Sequence, residues 1–266
     1  MRMKVNPTTG RLDLVGSSDA TQITYSNAQP TIEKHGGIEP GTTFENVPIA
    51  TVLDQILHPY VPPAIALTAK PGGQTFELGT QATVSLSVTI SAGSCAVKKV
   101  ELLQNEQPIF TDEATITAGE KKSIAFGTVS ISKAATFSAR VTDTTDKEVK
   151  SNAIAYAFRL PIYWALIGGK TVTDADTLHP IIPQSASGNV SLPFPAFDNK
   201  RMVVITSGTI TAIANPAKLA ILNSFEQTTT EIGGADGVRR TFNAYISNPN
   251  SQQKAYPCTA TYSGAK

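Results

Sequence analysis

The residues of this chain whose types could do chemistry are three histidines, two cysteines and a few turn aspartates. His35, His58 and His179 are far apart, and no His-x-x-x-His or Cys-x-x-Cys pair puts two ligands side by side. A zinc site is therefore not expected. Cys95 and Cys258 are expected to be reduced, unbonded and packed as small apolar groups, since a stapled scaffold would carry more cysteines. Ile167-Gly168-Gly169-Lys170-Thr171 has the tail of a phosphate-binding loop. That loop needs a glycine five residues before Gly169, where this chain has Trp164, so a plain turn after a strand is expected. Asp143, Asp146 and the pair Asp174 and Asp176 are candidates for calcium ligands or paired carboxylates. Calcium takes six to eight oxygens, usually from one ligand-rich loop, and no such loop is present; turn aspartates are the simpler expectation. No Gly-x-Ser-x-Gly elbow occurs. Tyr163 and Trp164 are adjacent, so on a strand they face opposite sides. One is expected to pack inward and the other to meet a loop layer or a neighbour, with a carbohydrate platform as the functional alternative. No catalytic, cofactor-binding or metal-binding residue is expected, and the chain is read as a non-enzyme.

The elements that must position these residues are mostly strands. The chain has 266 residues, of which 41% are hydrophobic and only 16% charged. Soluble domains average about 25% charged, and here Thr, Ser, Asn and Gln take the place of the missing charge, as suits strands and turns. The 17 prolines and 19 glycines are spread along the chain and argue against long helices. A net charge of +1, with no Lys/Arg run longer than two, excludes nucleic acid and anionic membranes as expected partners. No stretch reaches the roughly 18 apolar residues of a membrane span. The first residues lack the apolar segment of a secretory leader, so synthesis in the cytoplasm is expected.

Residues 1–35 are polar and turn-rich, with short strand-like stretches at Arg11 to Val15 and Gln22 to Tyr25. They offer too few large apolar groups for a core, so they are expected to act as an anchoring arm whose contacts are mostly with other chains. Residues 36–63 hold a short amphipathic helix. Ile49, Val52, Leu53, Ile56 and Leu57 form one apolar stripe, Asn46 is a candidate cap, Pro48 suits the first turn, and Pro59 stops the helix. The stripe, Val52, Leu53, Ile56 and Leu57 above all, is expected to be buried against the following sandwich or between copies. Residues 64–159 read as an immunoglobulin-like β-sandwich of seven short strands, with Val84, Leu86, Val88, Ile90, Val100, Leu102, Phe137, Ala139 and Val141 facing inward. Residues 160–266 read as a second β-sandwich, with strands at Asn189 to Leu192, Arg201 to Ser207, Thr209 to Ala214, Lys218 to Thr228, Thr241 to Ser247 and Tyr256 to Tyr262, and a short helix or turn over Thr171 to Leu178. The predicted fold class is all-β.

Four groups of residues carry a resemblance. His35-Gly36-Gly37-Ile38, then Gly41-Thr42-Thr43-Phe44, then Val52-Leu53-Asp54-Gln55-Ile56-Leu57-His58-Pro59-Tyr60 with Pro62-Pro63, resemble a recurrent segment of tailed-bacteriophage virion proteins. In those proteins this segment leads directly into an immunoglobulin-like domain. Phe76-Glu77-Leu78-Gly79 looks like that group's approach to its second strand. Pro161-Ile162-Tyr163-Trp164 stands where the group carries Pro-Ile-Tyr-Tyr-Gly, with Ala165 in place of the glycine, and Thr241 to Ser247 is similar to its closing tyrosine strand. The resemblance covers residues 35–266, more loosely after residue 165. It implies a structural part of a tail, baseplate, collar or head fibre, often in symmetric multimers, and supplies no catalytic residues. The expected partners are further copies of this chain, with a trimer as the leading form, and other virion proteins. The alternative is a receptor- or carbohydrate-binding module at a fibre tip, touching host surface glycan. A polysaccharide depolymerase would need a carboxylate pair, and none stands out.

Overall fold

The computed structural model describes residues 2–5, 12–15, 24–27, 29–113, 115–173 and 175–266, with backbone only for the first two segments. The expected contacts of the arm therefore fall largely outside the described residues, as does Asp174. Strands β1 (Arg2–Val5) and β2 (Leu12–Val15) pair antiparallel. Strand β3 (Thr24–Tyr25) pairs with β4 (Val47–Pro48), which runs straight into helix α1 (Ile49–Leu57).

The helix stands where the stripe predicts it, but its surroundings differ. Asn46 makes no cap; it has φ of 52° just outside the helix, and the cap residue is Pro48. Val52 alone of the stripe is buried, against Ile38 and Phe44. Leu53, Ile56 and Leu57 keep 49%, 39% and 67% of their surface exposed, which corrects the expectation that they are buried against the following sandwich. The reason is size. The loop that α1 covers supplies only Ile38, Phe44 and Val47, enough to bury one edge of the stripe. Leu53→Ala is accordingly expected to cost less than about 1 kcal/mol, against the roughly 2–5 of a core leucine; a denaturant midpoint measured for the variant checks this.

The first sandwich follows. Its strands are β5 (Ala64–Lys70), β6 (Thr75–Glu77), β7 (Ala82–Ser91), β8 (Val97–Gln104), β9 (Gln107–Asp112), β10 (Lys121–Ile131), β11 (Ala135–Asp143), β12 (Glu148–Lys150) and β13 (Ile154–Arg159). One sheet has the order β10-β7-β5. The facing sheet has the order β6-β13-β11-β8-β9, with β12 beside β11. All pairs are antiparallel except β6 with β13. The chain crosses repeatedly between sheets, which is the Greek-key plan of an immunoglobulin-like sandwich. Every one of the nine residues expected inward is buried. Each such aliphatic side chain contributes about 1.5–3 kcal/mol relative to exposure. Strands β12 and β13 are separated because Asn152 turns aside: its Oδ1 accepts the Leu67 amide (3.1 Å) and its Nδ2 donates to the Leu67 carbonyl (3.3 Å) on β5.

The second sandwich starts within two residues of β13. Its strands are β14 (Ile162–Ile167), β15 (His179–Ile181), β16 (Gly188–Phe194), β17 (Phe197–Thr206), β18 (Thr209–Ala214), β19 (Phe225–Gly233), β20 (Arg239–Ser247), β21 (Asn250–Gln252) and β22 (Tyr256–Ser263). A sheet of order β15-β14-β17-β20-β19, with β21 on β17, faces a sheet of order β16-β22-β18. The strand expected over Lys218 to Thr228 lies later, at β19. Residues 218–224 instead form a turn and a short 3-10 segment at Leu222–Ser224. Residues 171–173 and 175–178 are bends and turns, with no helix among them.

The larger sheet is apolar on both faces. Met202 and Val204 of β17 point into the core between the sheets, while Val203 and Ile205 point into a second core on the outside. Val172 and Leu178 cover that outer core from the same domain, and Leu78 reaches it from the first sandwich. The two sandwiches are thus docked together. Gly79, at φ of 94°, makes the contact possible: a Cβ there would stand 2.8 Å from the backbone nitrogen of Asp236. The junction also holds Arg159, whose guanidinium donates to the Ala265 carbonyl at 2.9 Å, and Leu160, whose amide donates to the Lys266 carbonyl at 2.7 Å.

Candidate functional site

The titratable candidates are absorbed into structure one by one. Asp143 is completely buried at the end of β11. Its Oδ1 accepts the Thr145 amide (2.8 Å), the Thr145 hydroxyl (2.7 Å) and the Lys147 amide (3.0 Å), and its Oδ2 accepts the Tyr60 hydroxyl (2.7 Å). Burial alone would raise this carboxyl; the hydrogen bonds from Tyr60, Thr145 and Lys147 outweigh it and hold the group down at about 2. Burial and the same carboxylate push the Tyr60 phenol up to about 12. Both carboxylate oxygens are thus committed to protein donors. Asp146, at φ of 65° in the same turn, pairs with Lys98. Asp176 accepts the amide (2.7 Å) and hydroxyl (2.8 Å) of Thr173 and closes its own turn. Glu101, buried on β8, is held by Lys99 at 3.1 Å and Arg140 at 2.8 Å; burial raises its carboxyl, and these two cations bring it below the usual range.

The three histidines lie apart. His35 borders the loop under α1, and His58 follows that helix, its backbone amide donating to the Asp54 carbonyl at 2.7 Å. His179 stacks on Trp164 with ring centroids 4.3 Å apart. Trp164 also meets Phe194 edge-on at 5.3 Å, so it packs, half-buried, towards the core between the sheets. Tyr163 is buried in the outer core, edge-on to Phe242. Both cysteines are free thiols; burial pushes Cys258 up to about 11. Gly168 to Thr171 form an exposed bend after β14. Among the described residues no group of three or more His, Cys, Asp or Glu side chains is placed to hold a metal ion.

What the structure does assemble is a latch and a groove. Sequence reasoning placed Asp143 and Tyr60 separately; the fold joins them across 83 positions. Lys147 Nζ sits 3.6 Å over the Tyr60 ring and closes the latch from above. Ser94 adds a hydroxyl that accepts the Val61 amide at 3.0 Å. Together these contacts fix the helix module to the end of the first sandwich. The Gly36-Gly37 pair shapes the module itself. The Gly37 amide donates to the Gln55 carbonyl at 2.6 Å, and a Cβ on Gly36 would stand 2.3 Å from the Ile56 carbonyl oxygen, so only glycine lets the loop lie on the helix backbone. Held this way, the helix opens an apolar groove of about 270 Å³ between Tyr25, Ile38, Phe44, Leu53 and Ile56.

No protein-family model matches this chain, and no curated protein matches it in sequence. A second concavity, a polar cleft of about 630 Å³, lies on the C-terminal sandwich between Thr173, Asp176, Glu231 and Arg239, with Tyr163 at its floor. No helix among the described residues is long and apolar enough to cross a membrane.

Proposed function

We propose that this protein is a structural component of a tailed-bacteriophage virion, in a tail, baseplate, collar or head fibre or decoration, fixed to the particle through its N-terminal segment and made in the host bacterial cytoplasm. The observation that carries this reading is the open apolar face of α1. Leu53, Ile56 and Leu57 are held outward by the latch at one end of two sandwiches that are docked to each other. Exposed apolar residues clustered on one rigid element mark a contact surface, and a stiff tandem of sandwiches behind it suits a spacer or tile. The phage-like segment, His35 to Tyr60, holds most of the groove's residues, with Tyr25 and Thr31 lying before it. The test is to delete residues 1–30 and compare melting with uptake into particles. A protein that melts normally but stays out of the particle supports the reading; normal uptake defeats the anchor.

The polar cleft favours a second reading, a receptor- or carbohydrate-binding module at a fibre tip. Carboxylates and a guanidinium beside an aromatic floor can hydrogen-bond sugar hydroxyls. A glycan array separates the two: reproducible glycan binding that is lost in Asp176→Ala would move the cleft ahead of the groove.

A further inference from the structure

We propose that β19 is a self-association edge, pairing antiparallel with β19 of a second copy about a two-fold axis through Thr229. Nothing in this depends on where in a particle the protein sits.

An edge strand presents a row of unpaired amides, and folded proteins block such rows. Among the described residues, the other edges of the two sandwiches are short or interrupted. Asn152 caps both backbone groups of Leu67 on β5, and β6 has three residues with the Thr75 amide turned to Gln184. Strand β9 carries Pro108 and an irregular register, and β10 carries Lys121, Lys122 and a bulge before Gly127. Strand β15 has three residues including Pro180, β16 carries Pro193, and β18 has a register shift before Ala212. Strand β19 pairs with β20 through nine residues without a shift, and it contains no Pro, Lys or Arg. Among the described residues the backbone bond to it from outside β20 is at its first residue, where the Phe225 amide donates to the Leu222 carbonyl of the preceding 3-10 turn.

The direction of its amides follows from the ladder. The Asn248 amide donates to the Ser224 carbonyl (3.4 Å) at one end, and the Gly234 amide to the Val238 carbonyl (2.9 Å) at the other. Hydrogen-bonded pairs alternate along an antiparallel ladder, so the even-numbered residues of β19 face β20. The N–H and C=O groups of Gln227, Thr229, Glu231 and Gly233 therefore face outward, as does the Phe225 carbonyl, the Phe225 amide being used by the Leu222 carbonyl. The Arg239 guanidinium reaches the Glu231 carbonyl at 3.2 Å, as an outward carbonyl allows; pairing replaces it there with an amide of the partner.

The strand is also complementary to itself. With the axis at Thr229, Thr229 meets the partner's Thr229, Gln227 meets the partner's Glu231, and the Phe225 carbonyl accepts the amide of the partner's Gly233. On the other face Glu226 meets the partner's Ile232 and Thr228 the partner's Thr230. No like charges stand opposite, and Thr–Thr pairs are favourable across strands. An axis at Glu231 would oppose two carboxylates, and one at Gln227 would leave Glu231 and Gly233 unpaired. The contact is isologous and closes on itself. It gives an even-numbered assembly, unlike the trimer expected from the sequence.

The test uses the full chain in solution, with light scattering and two variants. Thr229 is exposed, so changes there spare the core. Thr229→Lys sets two ammonium groups opposite each other on the axis; the dimer should dissociate while the melting curve keeps its cooperativity. Thr229→Cys, in a Cys95→Ser background, should form a disulfide-linked dimer under mild oxidation, since hydrogen-bonded antiparallel partners sit about 5.5 Å apart at Cα, inside the disulfide range. A wild-type protein that stays monomeric at every concentration overturns the proposal. So does a dimer that Thr229→Lys leaves intact, or one that Thr229→Cys fails to crosslink.

Discussion

Replacing Asp143 with alanine is expected to destabilise the protein by about 3 kcal/mol and to free the helix module from the first sandwich. The change removes a buried charge that answers four donors: the Tyr60 and Thr145 hydroxyls and the amides of Thr145 and Lys147. Hydrogen bonds to charged groups are worth about 1.5–3 kcal/mol each, and a buried donor left unmade costs about 1–3. Water reaching the emptied site offsets part of this sum. Asp143→Asn keeps the shape and one acceptor, so about half the loss is expected. Tyr60→Phe removes only the link between module and sandwich. The same latch gives a pH dependence of fixed sign. The carboxyl lies at about 2 in the folded chain against 3.8 when unperturbed. Its contribution is therefore full above about pH 4 and disappears as the pH falls towards 2. Urea unfolding of the wild type and Asp143→Asn across that range checks it: their difference should shrink as the pH drops, and a constant difference would refute the assignment.

The second large effect is expected at the groove. Leu53→Lys with Ile56→Lys places two charges on the exposed face of α1, beside Tyr25 and Phe44. Both positions already face solvent, so the melting temperature should shift by no more than a surface substitution does, within about 0.5 kcal/mol per site. Uptake into particles should fall at least tenfold, because each lysine would be stripped of water in an apolar contact without a partner. Thermal melts and quantitative blotting of purified particles separate the two effects. A collapse of the fold would mean that the stripe is core after all.

The first sandwich was legible because its signal is local. Val84, Leu86, Val88 and Ile90 alternate without interruption, and the pleat converts that period directly into burial. The C-terminal sheet was less legible where its strands are buried on both faces or on neither. Met202 to Ile205 gives no alternation because both faces are apolar. Strand β19 gives little because most of its residues are exposed, and Gly234 to Val238, the hairpin loop that fixes its register, was the turn signal to use. The helix shows the opposite failure. Its stripe has the right period, but periodicity reports which residues share a face and says nothing of whether a partner covers that face. The latch was not legible either. Asp143 read as a turn aspartate, which it is, but its bond to Tyr60 spans 83 positions and no local pattern encodes it.

The most direct measurement is quantitative mass spectrometry of particles purified from cells that produce this chain. A structural virion component predicts intact chain in every preparation, at a fixed multiple-copy ratio to the major capsid protein. That ratio should survive high-salt washing, since the contact is apolar and not ionic. A chain found only in the soluble lysate, or in particles at a ratio that falls with each wash, would contradict the account.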